Sequence, residues 1–221
     1  MRGGRAFLLI AAAASLLAAC QTAARAPTPV PAPAPTYSMA SADAAARRVQ
    51  AMLKKGLKPI PASEVSAYMD STEHDLISEL SDHGFSITRV GNSIHLNMEG
   101  SAAFAPNSTV IAPKSAAALK RLAHIIKVHE RILIDVTGHT DNEGKAEANR
   151  NLSEGRARSV AQFLIDQGAD GKRFLLRGAG AREPIASNRT AKGRAQNRRV
   201  EIKLSPFTDA KGRGYKESFA P

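Results

Sequence analysis

Residues 132–160 read ILIDVTGHTDNEGKAEANRNLSEGRARSV. Ile132, Ile134 and Val136 recur at period two, which predicts a strand that stops at Gly138. A polar turn follows, His139 to Gly144, and then a helix running to Gly168, a residue type suited to the position just past a helix end. On a wheel of about 100° per residue, Ala157, Val160, Phe163 and Leu164 fall in one arc, the face that should pack on a sheet. Glu154, Arg158, Gln162 and Asp166 fall opposite, facing solvent. Arg156 and Asn149 fall inside the apolar arc.

An arginine on that face keeps its proton, so it must reach water, pair with an acid or meet an anion. Arg156 lies near the N-terminal end of the helix, close to the turn that carries Asp141. Two readings follow. One is a structural Asp141–Arg156 salt bridge beside the core. The other is a small site with one fixed negative and one fixed positive group, suited to a zwitterion bearing an ammonium and a carboxylate.

Downstream, RFLLRG (173–178) predicts another strand, closed by Gly178-Ala179-Gly180. The segment PIASNRTAKGRAQNRRVEI (184–202) carries a loop and a short helical turn near Gly193–Gln196. It leads into a last strand with Val200, Ile202 and Leu204 on one side and Arg199, Glu201 and Lys203 on the other. Upstream, FSITRV and SIHLNM flank Gly91-Asn92 and read as a β-hairpin. The stretch GSAAFAPNSTVIAP (100–113) is then followed by a helix from about Lys114 to His129, packed through Leu119, Leu122, Ala123 and Ile126.

These ordered motifs, TGHTDNEG, Asn149, LSEGRARSV and PIASNRTAKGRAQNRRVEI, resemble the peptidoglycan-binding domain of the OmpA C-terminal-like family, which includes peptidoglycan-associated lipoproteins and cell-wall anchors of flagellar stators. The resemblance runs from about Ser93 to Leu204. It implies an α/β (α+β sandwich) fold, a β-α-β-α-β domain with helices on one face of a mixed sheet, here preceded by a helix and a β-hairpin. It also implies that Asp141 and Arg156 grip meso-diaminopimelate of the cell-wall stem peptide. By the same resemblance Asn107 and Asn149 join the ligand-binding set, and Phe104 matches the family's phenylalanine. Ala105 stands where an acidic residue often follows. Arg198 matches an arginine near the ligand carboxylate; its alternative is a solvated charge on a basic surface.

His139 and Asp141, two apart in a turn, invite a second reading as a cell-wall hydrolase or amidase, against the simpler one of local hydrogen-bonding partners. No Ser or Cys nucleophile accompanies them in a motif, and no further ligands stand at metal spacing. No cofactor is implied. Gly155, which interrupts the helix just before Arg156, costs roughly 1 kcal/mol against Ala and points to a close approach there.

The whole chain has 221 residues and a formal net charge of +11, with 5% aromatics. Its Lys and Arg are scattered among acids without aromatic stacking motifs, so nucleic acid is not the expected partner. Anionic lipid or cell-wall polymer is. Residues 1–19 read as a signal peptide: Arg2 and Arg5, then an apolar stretch too short to span a bilayer. Leu17-Ala18-Ala19-Cys20 resembles a lipoprotein lipobox with cleavage before Cys20; the alternative is an ordinary signal with a stray cysteine. An acylated Cys20 gives a lasting anchor, and Gln21, where Asp favours inner-membrane retention, points to the outer membrane, facing the periplasm.

Residues 20–40 hold the lipidated Cys and a Pro/Ala-rich tether, RAPTPVPAPAPT, able to reach about 50–60 Å at ~3.1 Å per residue. Residues 41–92 form a helical preface and hairpin arm, with Ala44 to Leu53 helical, a break at Lys58-Pro59-Ile60-Pro61, and Ser63 as an expected N-cap. The binding domain is placed at 93–205 and a basic tail at 206–221. The expected function is tethering of outer membrane to peptidoglycan, with an envelope protein complex, of a secretion system or motor, as a further candidate partner.

Overall fold

The computed structural model describes residues 37–208. The signal peptide, Cys20, the tether up to residue 36 and the tail from 209 onward lie outside the described residues.

The alternation in residues 132–139 sorts side chains to the two faces of a sheet, and the fold is built on that division. This strand, β4 (Ile132–His139), lies between β5 (Phe174–Gly180), parallel to it, and β6 (Arg199–Pro206), antiparallel to it. Beyond β6 come β3 (Ser93–Glu99) and β2 (Phe85–Val90), the expected hairpin, and beyond β5 a two-residue strand β1 (Ser38–Met39). The order is β1-β5-β4-β6-β3-β2, a mixed sheet.

Ile132, Ile134 and Val136 point into the main core with Ile94, Leu96, Val200, Ile202 and Leu204. Three helices cover that face: α2 (Val65–Leu80), α4 (Pro113–Val128) and α5 (Ala146–Asp166). Met69 and Leu76 of α2, Leu119, Leu122 and Ile126 of α4, and Val160 and Leu164 of α5 are all fully buried there. Each burial of this kind contributes about 1.5–3 kcal/mol relative to exposure. Two short helices, α3 (Gly100–Ala103) and α6 (Ala191–Asn197), flank the loops at the C-terminal end of β4.

The expectation of helices on one face holds for α2, α4 and α5. The exception is α1 (Ala42–Lys54), which lies on the other face: Ala44 and Ala45 pack on Leu175, and Met52 packs on Leu133 and Phe207. Leu133 and Leu175 alternate with the core-facing residues, so the period-two rule places α1 behind the sheet. Arg48, buried with it, donates from Nη1 to Asp135 Oδ1 at 2.6 Å and to the carbonyls of Ile134 and Arg173.

Three details of the structure bear on the expected divisions. The division between 92 and 93 lies in the hairpin turn, and both arms belong to the one sheet, paired Phe85 with Met98 through Val90 with Ser93. Phe207, expected in the tail, is fully buried, and Thr208 bridges to Ile60. Ser63 lies inside a 3₁₀ turn (Ala62–Glu64) instead of capping α2. That turn follows from Pro61, which cannot donate a backbone hydrogen bond.

α5 sits close on the sheet because Gly138 stands one residue before the end of β4. A Cβ on Gly138 would lie 2.0 Å from the Ser153 carbonyl oxygen. The space beside Gly138 is therefore taken by the helix.

Candidate functional site

At the C-terminal end of β4 the chain leaves the sheet as Thr140-Asp141-Asn142-Glu143 and returns as α5. Thr140 N–H donates to Gly180 O at 2.9 Å, which fixes the start of the turn against β5. Asp141 Oδ1 accepts from the Glu143 amide at 3.2 Å, a local Asx arrangement. Asn149, one turn into α5, spends its amide nitrogen on the carbonyls of Glu143 (2.9 Å) and Asp141 (3.3 Å). Both polar residues that the wheel placed in the apolar arc are indeed buried, Asn149 at 8% exposure and Arg156 at 4%. Asn149 braces the turn from beneath.

Asp141 and Arg156 do not pair. Asp141 Oδ2 accepts from Arg198 Nη1 at 2.7 Å, so the salt bridge weighed between Asp141 and Arg156 is made by an arginine 57 positions away. Arg156 is held otherwise: its Nε donates to the Ser108 carbonyl at 3.0 Å, and its guanidinium carbon stands 5.1 Å from the centre of the Phe104 ring. The two terminal nitrogens of Arg156 have no hydrogen bond or ion pair among the described residues. Burial lowers its pKa first and the Arg198 charge second, while Asp141 acts in the opposite direction. Three groups thus share one field, an acid and two arginines. They leave a forked donor whose one face and Nε are fixed and whose outer edge is free to receive an acceptor.

Asn107 sits at the tip of the loop that supplies Ser108, exposed, with φ of 52°, a left-handed conformation that Asn tolerates better than most residues. Arg194 of α6 pairs with Glu143 at 3.0 Å, tying α6 to the Asp141 turn. Asn197, fully buried, fixes the loop ahead of α6 through the amides of Ile185 and Ala186 and the carbonyl of Ala186. The sequence carried no signal for the Ser108 carbonyl, since any residue supplies one.

His139 is not part of this group. As an odd-numbered residue of β4 it faces the α1 side of the sheet, and it is neither bonded to nor aimed with Asp141. Its ring nitrogens lie 4.0 Å from Glu183 and 3.8 Å from Glu201, and neither has a hydrogen-bond partner. Burial, then the Arg199 charge, pushes its pKa down to about 4 against the pull of the two carboxylates. The ring is therefore neutral at neutral pH, and these contacts are not ion pairs there. Glu201 is held down to about 2, chiefly by its 2.9 Å hydrogen bond from His95. The expectation that His139 and Asp141 are local partners fails because the chain leaves the sheet after His139: the histidine stays beside Glu183 and Glu201, while Asp141 turns to Arg198. Among the described residues no cluster of His, Cys, Asp or Glu could hold a metal ion, and no helix is long and apolar enough to cross a membrane.

With this geometry in place, residues 103–198 match the model of the OmpA family. The probable lipoprotein YiaD of Escherichia coli K12 is 44% identical over 143 residues, covering 65% of each chain. The outer-membrane lipoprotein YfiB of Pseudomonas aeruginosa is 33% identical over 126 residues, which cover 57% of this chain and 74% of that protein. Across its curated relatives the chain spans from about a quarter to three quarters of their length. The solved structure of the cell wall anchor of the type VI secretion system from P. aeruginosa aligns with a TM-score of 0.55 at 28% identity, covering 61% of this chain and 96% of that one.

Proposed function

The chain belongs to the OmpA family, and from that premise we propose that it binds peptidoglycan non-covalently through the group around Asp141 and Arg156. Asp141 accepts hydrogen bonds from the side-chain ammonium of meso-diaminopimelate, and Arg156 holds the carboxylate on the same carbon as a two-pronged fork. Arg198, already on Asp141, stands where it shares that carboxylate. Asn107 lies at the rim, and Asn149 keeps the turn in shape. No bond is made or broken.

The observation that carries this reading is the state of Arg156. A buried guanidinium with no acid of its own is costly unless its charge is used, and here Nε and the ring-facing surface are fixed while both terminal nitrogens are open. A hydrolase built on His139 and Asp141 lacks this support, because the two side chains diverge and the histidine is sealed.

Acylation of Cys20 would place the protein on the outer membrane, facing the periplasm, with residues 20–40 as the tether to the wall. The likeness to a secretion-system wall anchor favours a second, compatible role as the wall-holding part of an envelope complex. Co-sedimentation with purified sacculi tests the central claim. Binding to diaminopimelate-type wall and not to lysine-type wall is expected, because the lysine side chain lacks the carboxylate that Arg156 would grip. Equal binding to both would overturn it, and release of soluble fragments would instead reveal an enzyme.

A further inference from the structure

Arg156 is aimed by a loop that belongs to another part of the chain. Phe104 and Ile111 bridge in antiparallel fashion and close the loop, and Ala112 N–H donates to Ala103 O at 2.8 Å across its base. Inside it, Ser108 N–H donates to Ala105 O, and the Ser108 side chain accepts from the Val110 amide. Asn107 turns the chain through its positive φ. The loop touches α5 at one close point: a Cβ built on Gly155 would stand 2.8 Å from Thr109 Cγ2 and 3.8 Å from Thr109 Cβ. The gap left by the missing side chain of Gly155 thus receives the Thr109 methyl. The neighbours of these two residues, Ser108 and Arg156, make the hydrogen bond that orients the fork.

We infer that the Gly155–Thr109 contact is the positioning device that sets the plane of the Arg156 guanidinium, and that it governs discrimination for a carboxylate on the ligand. The inference rests on the diaminopimelate reading above. A mid-helix glycine is unfavourable for α5 by itself, so its presence beside the functional arginine has its explanation in the loop it admits. With the loop seated, Ser108 O takes Nε, Phe104 backs the guanidinium, and the outer nitrogens present a flat pair of donors to a carboxylate. With the loop pushed out, the arginine keeps its charge and loses its direction. Charge without direction attracts an anion but distinguishes poorly between a ligand that has the second carboxylate and one that lacks it.

Complementary substitutions in the full-length chain test this. Gly155→Ala adds the methyl that meets Thr109 Cγ2. Thr109→Ser removes that Cγ2 and keeps the hydroxyl, and in the double variant the new Cβ has only the 3.8 Å contact with the Cβ of residue 109. Affinities are measured for two soluble stem peptides, one with meso-diaminopimelate and one with lysine, beside thermal melting and the NMR signal of the Arg156 Nε–H. Gly155→Ala is expected to melt at or above the wild-type temperature, since Ala favours helix. It should lose about tenfold or more in affinity for the diaminopimelate peptide, the scale of one charged hydrogen bond, with little change for the lysine peptide. Its Nε–H signal should move to the position of a solvent-exposed group. Gly155→Ala/Thr109→Ser should restore both preference and signal. Wild-type preference in Gly155→Ala, or no rescue in the double variant, overturns the inference. If the wild-type chain prefers neither peptide, the diaminopimelate reading fails. The Nε–H signal then still decides the device: loss and rescue support it, and an unchanged signal in Gly155→Ala overturns it.

Discussion

Arg198 Nη1 stands 2.7 Å from Asp141 Oδ2, and that contact separates the site from the salt bridge that proximity in sequence suggests. Asp141 is nearly buried while the Arg198 side chain is a third exposed, at 34%. The acid is therefore held in place by a group that water can replace, and Arg156 is left with its outer edge unengaged.

Removing either residue of the proposed grip should cost binding and little stability. Asp141→Ala leaves Arg198, a third exposed, to water and no charge unpaired in the interior, so the loss of stability should be small. Arg156→Ala returns the half-buried Ser108 carbonyl to water. Each charged hydrogen bond to ligand contributes about 1.5–3 kcal/mol, so each variant should bind diaminopimelate-type sacculi roughly ten- to several-hundred-fold more weakly. Near-wild-type melting with lost co-sedimentation is the expected pair of results. A variant that melts far earlier and still sediments would refute the site.

Acid should weaken the fold through His139. Its folded pKa of about 4 lies below the 6.5 of an ordinary histidine, so the unfolded chain takes up the proton first as pH falls. Stability that is full above 6.5 is lost progressively down to about 4. The loss amounts to roughly 2–3 kcal/mol between about pH 7 and pH 4.5. Glu201, depressed to about 2, adds a loss in the same direction at lower pH. In urea unfolding at both pH values, His139→Gln should flatten the first of these slopes; an unchanged slope would mean another group carries it.

Arg173 should be among the costliest residues to remove. It is 2% exposed, and its guanidinium donates to three backbone carbonyls: Ile126 and His129 at the end of α4, at 2.7 Å each, and Ile132 at 2.9 Å. Burial pushes its pKa down to about 10, so it stays charged. Arg173→Leu leaves these carbonyls unsatisfied and should lower stability by about 3–5 kcal/mol. Arg173→Lys should recover only part, since an ammonium cannot reproduce the fork. A denaturant midpoint within error of wild type would contradict this.

The anchor is tested in cells. Cys20→Ser should block acylation and move the protein from the membrane fraction to the soluble periplasm. Retention after a high-salt wash would indicate a different means of attachment.

Much of this architecture was legible in the sequence where the signal is periodic. The alternation in Ile132–Val136, the hairpin around Gly91-Asn92 and the apolar arc of α5 all gave elements of the right kind. The same wheel picked out Asn149 and Arg156. The rule that found Arg156 was equally available for Arg48, which shares a helical face with Ala44, Ala45 and Met52, yet that short Ala-rich segment was read only as a preface. β1 has two residues, too few to show a period. The Asp141–Arg198 contact joins distant parts of the chain, and Arg173 acts on backbone carbonyls, which carry no side-chain signature.

The short strand β1 determines how a pull on this domain is carried. It runs parallel to β5, Ser38 beside Leu175 and Met39 beside Leu176, so the chain arrives at the end of β5 remote from the Asp141 turn. If the far end grips the wall as proposed, tension entering through Tyr37 would run along the strand axes. It would shear the β1–β5 hydrogen bonds together and not peel them one by one. Arg158 of α5 adds a side-chain clamp at that point, reaching the Tyr37 hydroxyl at 3.4 Å and the Met39 sulfur at 3.6 Å. A loaded tether of the proposed kind would meet this edge before any other part of the domain.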